Sequence, residues 1–128
     1  MLFRADSGFD SAKLMCAIGH HASALAREIA FIIKWNPRST PVESLAQAKV
    51  ADTGAAWEML REGKRQCVWS EAVQVKHERH VLAARRVYRL SERIIDRRNQ
   101  QMLLPEYVLE GWTSTLPQAF TPESILAL

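Results

Sequence analysis

The sequence is poor in the residues that build disulfides, metal centres and phosphate loops. It has two cysteines, Cys16 and Cys67, which lie far apart and outside any metal-ligand spacing, so we expect them to be buried as small hydrophobic residues. Its five glycines form no glycine-rich phosphate loop. No paired carboxylates and no nucleophile with a partner base stand out. The sequence therefore predicts a non-enzymatic protein with no catalytic residues, no cofactor and no metal.

Long hydrophobic runs are also missing. The most apolar window, residues 22–35, contains Arg27 and Glu28 and is too short to cross a bilayer. The first six residues lack the charged start and apolar core of a secretory signal. We therefore expect a cytoplasmic protein that does not bind membranes.

The histidines are the one group that resembles a metal site. His20 and His21 are adjacent, and His77 and His80 are three residues apart, so on a helix the second pair would present two imidazoles to one ion. Zinc sites normally need at least three protein ligands, and no third ligand lies at a recognised spacing. Surface or core histidines are therefore favoured over a metal site.

Length and hydrophobic spacing set the expected fold. The chain has 128 residues, 48% of them hydrophobic and 24% charged, which is typical of one globular domain spanning residues 1–128. Apolar residues recur at helical spacing, and no alternating strand pattern stands out. These features predict an all-α fold, an irregular bundle of about four helices. The helices are expected at about residues 10–35 and 41–62, then from a start between 64 and 70 to about 103, and at 105–116, after an irregular stretch at 1–9 and before a 117–128 tail with a short helical turn.

Local capping signals support several of these boundaries. Asp10 or Ser11 can cap the first helix. Thr40-Pro41-Val42-Glu43 has the form of a capping box with proline at the first helical position. Gly63 is suited to the left-handed position that ends a helix, and Thr121-Pro122 repeats the signal for a helix start.

The third predicted helix carries the uneven charge of the protein. Residues 64–98 hold ten basic and four acidic residues, a net charge of +6 in a chain whose total is +3. Arg79, Arg85 and Arg86 have no acid three or four residues away, whereas Arg89 and Arg93 each have one. This long basic helix is therefore predicted to present a like-charge face. The candidate binding residues on that face are Lys76, Arg79, Arg85, Arg86, Arg89, Arg93, Arg97 and Arg98.

Two functions of different kinds follow from this face. The planar guanidinium group of arginine can hold two phosphate oxygens at once. The face therefore favours a small nucleic-acid-binding subunit of a larger complex, which contacts RNA or DNA phosphates without sequence preference. The alternative is a protein–protein interaction module, such as an adaptor, inhibitor or oligomeric scaffold, whose arginines meet an acidic partner or a second copy. A third hypothesis involves no binding partner. Glu106, Glu110 and Glu123 of the acidic C-terminal part could neutralise the face within the chain, or water alone could solvate it.

Overall fold

The computed structural model describes residues 1–25, 28–95, 98 and 100–128. Strands contain 47% of the described residues and helices 25%, so the predicted all-α bundle is wrong. The elements in chain order are β1 (Leu2–Ala5), a 3-10 turn (Ser7–Phe9), α1 (Ala12–Ala24), β2 (Ala30–Lys34), α2 (Val42–Ala51), β3 (Trp57–Arg61), β4 (Lys64–His77), β5 (His80–Ile95), β6 (Gln101–Ser114) and α3 (Pro122–Leu126).

Strands β4 and β5 replace the predicted basic helix. The seven-residue spacing of its apolar residues fits a helical wheel, but many of them are β-branched or aromatic, such as Val75, Val87 and Tyr88, and these residue types favour strands. The strands meet at the turn Glu78–Arg79, which contains neither glycine nor proline. Glu78 itself takes the positive φ of 55° that the turn requires. The reversal therefore left no conventional turn signal in the sequence.

The six strands form one mixed sheet in the order β1-β2-β6-β5-β4-β3. β1 runs parallel to β2, while β2 pairs antiparallel with β6 and β3 pairs antiparallel with β4. The chain divides into two compact units, and the three long strands contribute residues to each. Unit 1 contains Met1–Asn36, Ser70–Val87 and Gly111–Leu128, and unit 2 contains Pro37–Trp69 and Tyr88–Glu110.

Unit 1 is built on strand β2, which is buried on both faces. Phe31 and Ile33 are fully buried in a cluster with Met15 and Cys16 of α1, so α1 covers one face of the sheet. Ile32 points to the opposite face because side chains alternate along a strand, and it is also buried. This three-residue apolar run was predicted to extend the first helix, but a buried strand reads as a continuous hydrophobic run just as well.

Unit 2 packs α2 and the aromatic side chains of two strands. Trp69 stacks on Tyr88 with ring centroids 5.2 Å apart, and the Lys49 ammonium lies 4.4 Å from the Trp69 centroid. Cys67 is buried and free, and burial raises the pKa of its thiol. It therefore behaves as the small hydrophobic residue that the sequence indicated.

The helix starts were predicted better than the helix lengths. The Ser11 hydroxyl caps α1 by accepting from the Leu14 amide, and the Thr121 hydroxyl caps α3 by accepting from the Ser124 amide. α2 begins at the predicted place, but its N-cap is Pro41 without a side-chain cap, so the capping box is absent. Among the described residues, no helix combines the length and apolarity needed to cross a membrane.

Candidate phosphate-binding surface

The arginines of β5 do not form one exposed face. Arg89 pairs with Glu110 at 2.7 Å, and Arg93 pairs with Glu106. Both acids lie on β6, the neighbour of β5 in the sheet, so they meet arginines that are distant in sequence. The acidic C-terminal part thus neutralises two of the candidate binding residues within the chain, as one of the sequence interpretations allowed.

Two further arginines are held against the protein itself. Arg85 is 5% exposed, and its Nη2 donates to the Pro117 carbonyl at 3.0 Å. Arg86 is half-buried, with its guanidinium carbon 5.2 Å from the Trp35 ring centroid and its Nε donating to the Thr113 hydroxyl at 3.3 Å. These contacts give Arg85 and Arg86 structural roles in unit 1.

The remaining candidates lie near strand ends. Lys76 is near the end of β4 and Arg79 is in the turn between β4 and β5; both are exposed and neither forms an ion pair with a described residue. Arg98 is also exposed, while Arg97 falls outside the described residues. Among the described candidates, two exposed cations without an ion pair therefore lie at one turn of unit 1.

Histidines from two elements surround this turn. His80 begins β5, and its ring centroid lies 6.0 Å from that of His20 on α1. His21 lies 6.2 Å from His20, and His77 precedes the turn. A His77–His80 pair that presents two imidazoles to one ion would need a helix; in the structure these residues lie on strands, and His80 lies beside His20 instead. We call Lys76, Arg79, His20, His77 and His80 the basic turn.

A cleft of about 180 Å³ opens between α1 and the start of β5. His20, Ser23 and His80 supply its polar groups, and Cys16 closes its base, where the thiol donates to the Val75 carbonyl at 3.7 Å. Its apolar wall includes Gly19, where a Cβ would lie 2.9 Å from Leu82 Cδ1, so the glycine lets α1 approach β5 closely. No group of three or more metal-ligating side chains occurs in the described residues.

The basic turn combines cationic side chains with imidazole N–H groups. Glu78 is the acid of the turn itself, and its carboxylate lies 3.9 Å from His77 Nε2. Lysine and arginine donors together with imidazole N–H donors form a set that suits phosphate oxygens. The sequence contains these side chains, but no pattern in it indicated that α1 would place His20 beside His80.

Unit 2 contains a charged network in which one carboxylate accepts three hydrogen bonds. Arg65 donates from Nε and Nη2 to the two oxygens of Glu92 at 2.7 and 3.1 Å, and the Tyr107 hydroxyl donates to Glu92 at 2.8 Å. The Arg65 guanidinium also stacks 3.9 Å from the Trp57 centroid. The hydrogen bonds from Arg65 lower the pKa of Glu92, and Tyr107 adds to that shift while burial opposes it.

Glu92→Gln is expected to lower the free energy of unfolding by about 1.5–3 kcal/mol at neutral pH, since it removes the charge that accepts three hydrogen bonds. A carboxylate with a lowered pKa stabilises the fold fully above the ordinary glutamate pKa of about 4.3, and that stabilisation is lost as the pH falls through the folded pKa. Urea unfolding from about pH 3 to 7 should therefore give a shallower acid-side slope for the variant.

The matched control for this experiment is Glu106→Gln. Glu106 also pairs with an arginine, but its side chain is 46% exposed, so the change should be within about 1 kcal/mol. Equal effects of the two substitutions would show that the Glu92 network has no special role.

Comparison of the chain with models of protein families, with curated proteins and with solved structures gives no match in any of the three. The functional argument therefore depends on the geometry of the basic turn.

Proposed function

We propose that the protein is a small non-enzymatic subunit that binds RNA or DNA phosphates, without sequence preference, through the basic turn. The proposal is supported by a difference in burial and ion pairing among the basic side chains. Arg89 and Arg93 are paired with carboxylates and Arg85 is buried, whereas Lys76 and Arg79 are exposed without an ion pair among the described residues. An exposed, uncompensated cation gains most from a phosphate, because it displaces condensed counterions without breaking an internal pair.

The proposal changes the binding element that the sequence suggested. A strand-end turn with two cations makes fewer phosphate contacts than an arginine-lined helix, so modest affinity is expected unless the protein acts within a larger assembly. Lys76 and Arg79 supply the charge of the interaction, and the imidazole N–H groups of His20, His77 and His80 add hydrogen-bond donors. Both cysteines are free and buried, which agrees with the reducing cytoplasmic location that belongs to the same proposal.

The test is a fluorescence-anisotropy titration of labelled single-stranded RNA and duplex DNA at about 50 and 200 mM salt. Binding should weaken steeply with salt, and the double variant Lys76→Glu with Arg79→Glu should lower the affinity by roughly 10- to 100-fold and reduce the salt slope by about 2.

A charge-matched control separates a local site from a general charge effect. Arg4→Glu with Arg61→Glu changes the net charge by the same amount at two exposed residues outside the basic turn. This control should retain most of the affinity. Equal losses of affinity in the two double variants would show that binding depends on net charge alone and would contradict a local site. If the protein binds neither nucleic acid even at low salt, the proposal is overturned in favour of an acidic protein partner.

A further inference from the structure

Arg85 is a buried cation without a counter-ion in the part of the chain that the structure describes. Its side chain is 5% exposed, and among the described residues it donates one hydrogen bond, from Nη2 to the Pro117 carbonyl at 3.0 Å. The Nε atom is fully buried and has no hydrogen-bond partner among those residues. No ion pair to a described carboxylate offsets its charge. The guanidinium therefore has one buried donor, Nε, without an acceptor among the described residues, and its charge has no counter-ion there.

Such an arrangement is energetically unfavourable unless an anion completes it. A buried charge with no partner costs several kcal/mol, and a buried donor without an acceptor adds to that penalty. A guanidinium fork is also the side chain best suited to hold two oxygens of one anion at once. The buried guanidinium of Arg85, which has no counter-ion among the described residues, therefore indicates a ligand that carries an oxyanion.

A cleft of about 260 Å³ lies beside Arg85 in unit 1. Ala72 and Ala83 form small apolar walls, and the chain from Ser114 to Gln118 forms another side. The Thr115 hydroxyl accepts from the Phe31 amide at 3.1 Å and keeps its own O–H as a donor. The cleft thus combines donors with short apolar walls, and it lacks a lining carboxylate.

We propose that this cleft binds a carboxylate, with Arg85 as its principal ligand. One buried positive charge is balanced by one negative charge, whereas a phosphate dianion would leave excess charge in the cleft. The alanine walls suit the short apolar body of a small organic acid or of an acidic side chain. This site is distinct from the basic turn, because Lys76, Arg79 and the histidines do not line the cleft.

The test follows the arginine Nε–Hε NMR signals during titration with butyrate, with inorganic phosphate and with a capped Ala-Glu-Ala peptide in parallel arms. Saturable binding of butyrate or of the peptide, with a dissociation constant on the order of 1 mM, should shift the Arg85 signal. Butyrate binding alone would identify a free acid as the ligand, and peptide binding would identify a carboxylate presented by a polypeptide. The proposal fails if neither carboxylate binds, or if phosphate binds as tightly as both.

Two variants locate the site. Arg85→Met removes the charge while keeping a similar volume, and it should abolish butyrate and peptide binding, whereas Arg86→Met at the neighbouring arginine should retain it. Ala83→Phe keeps the guanidinium and fills the cleft, so it should weaken binding at least 10-fold even if Arg85→Met does not fold. Unchanged binding in Ala83→Phe would place the anion elsewhere and overturn the proposal.

Discussion

Arg85→Glu is expected to lower the free energy of unfolding by about 3–5 kcal/mol at neutral pH. The substitution removes the donor to the Pro117 carbonyl and places a carboxylate at a position that is only 5% exposed. A carboxylate cannot donate to the Pro117 carbonyl, and at this largely buried position its charge has no described cation as a partner. Urea unfolding at pH 7 measures the loss, which should shrink in acid as the new carboxyl takes up a proton.

Arg79→Glu is the matched control, because it makes the same charge change at an exposed position. Its effect on the free energy of unfolding should stay within about 0.5 kcal/mol. The two substitutions together separate the effect of a charge change at a buried position from the same change at an exposed one. A stable Arg85→Glu protein would contradict the buried position of this side chain.

Gly63→Ala is expected to lower the free energy of unfolding by about 2–4 kcal/mol. Gly63 lies in the turn between β3 and β4 with a φ of 76°, a left-handed conformation that side chains disfavour. A Cβ there would overlap Ile95 Cγ1, and the Gly63 carbonyl accepts from the Ile94 amide at 2.8 Å. The backbone therefore cannot shift away without weakening that hydrogen bond.

Gly54→Ala provides the comparison within the same unit. A Cβ at Gly54 would meet Asp52 Oδ1 at 3.3 Å, and its φ lies outside the left-handed region. Thermal and urea unfolding should show a change below about 1 kcal/mol for this variant. Similar losses at Gly54 and Gly63 would mean that neither the positive φ nor the close contact with Ile95 matters.

The distribution of arginine charge explains why a sequence count overstated the basic face. Arg89 was expected to meet Glu92 within one helix, but it meets Glu110 on another strand, and Glu92 is bound by Arg65 instead. These partners are 21 and 27 residues apart in the chain. Neighbour counting along a helix therefore missed the pairs that form, because strand pairing brings distant residues together.

Local conformations were predicted better than the elements that contain them. Ser11 and Thr121 cap helices as expected, since a hydroxyl beside free amide groups is a short-range effect. Gly63 takes the predicted positive φ, yet it does so in a hairpin turn and not at a helix end. The same backbone requirement arises in both settings, so the residue alone could not distinguish them.

The sequence by itself determined the hydroxyl caps at Ser11 and Thr121, the burial of Cys16 and Cys67, and the excess of positive charge between residues 64 and 98, because each follows from neighbouring residues or from composition. Tertiary structure decided that this stretch forms strands, that Glu106 and Glu110 neutralise Arg93 and Arg89, and that His20 joins His80. These outcomes depend on cross-strand pairing and on packing of α1 against the sheet. The physical reason is that apolar residues at seven-residue spacing satisfy a helix locally, whereas the stability of a strand comes from neighbours far along the chain.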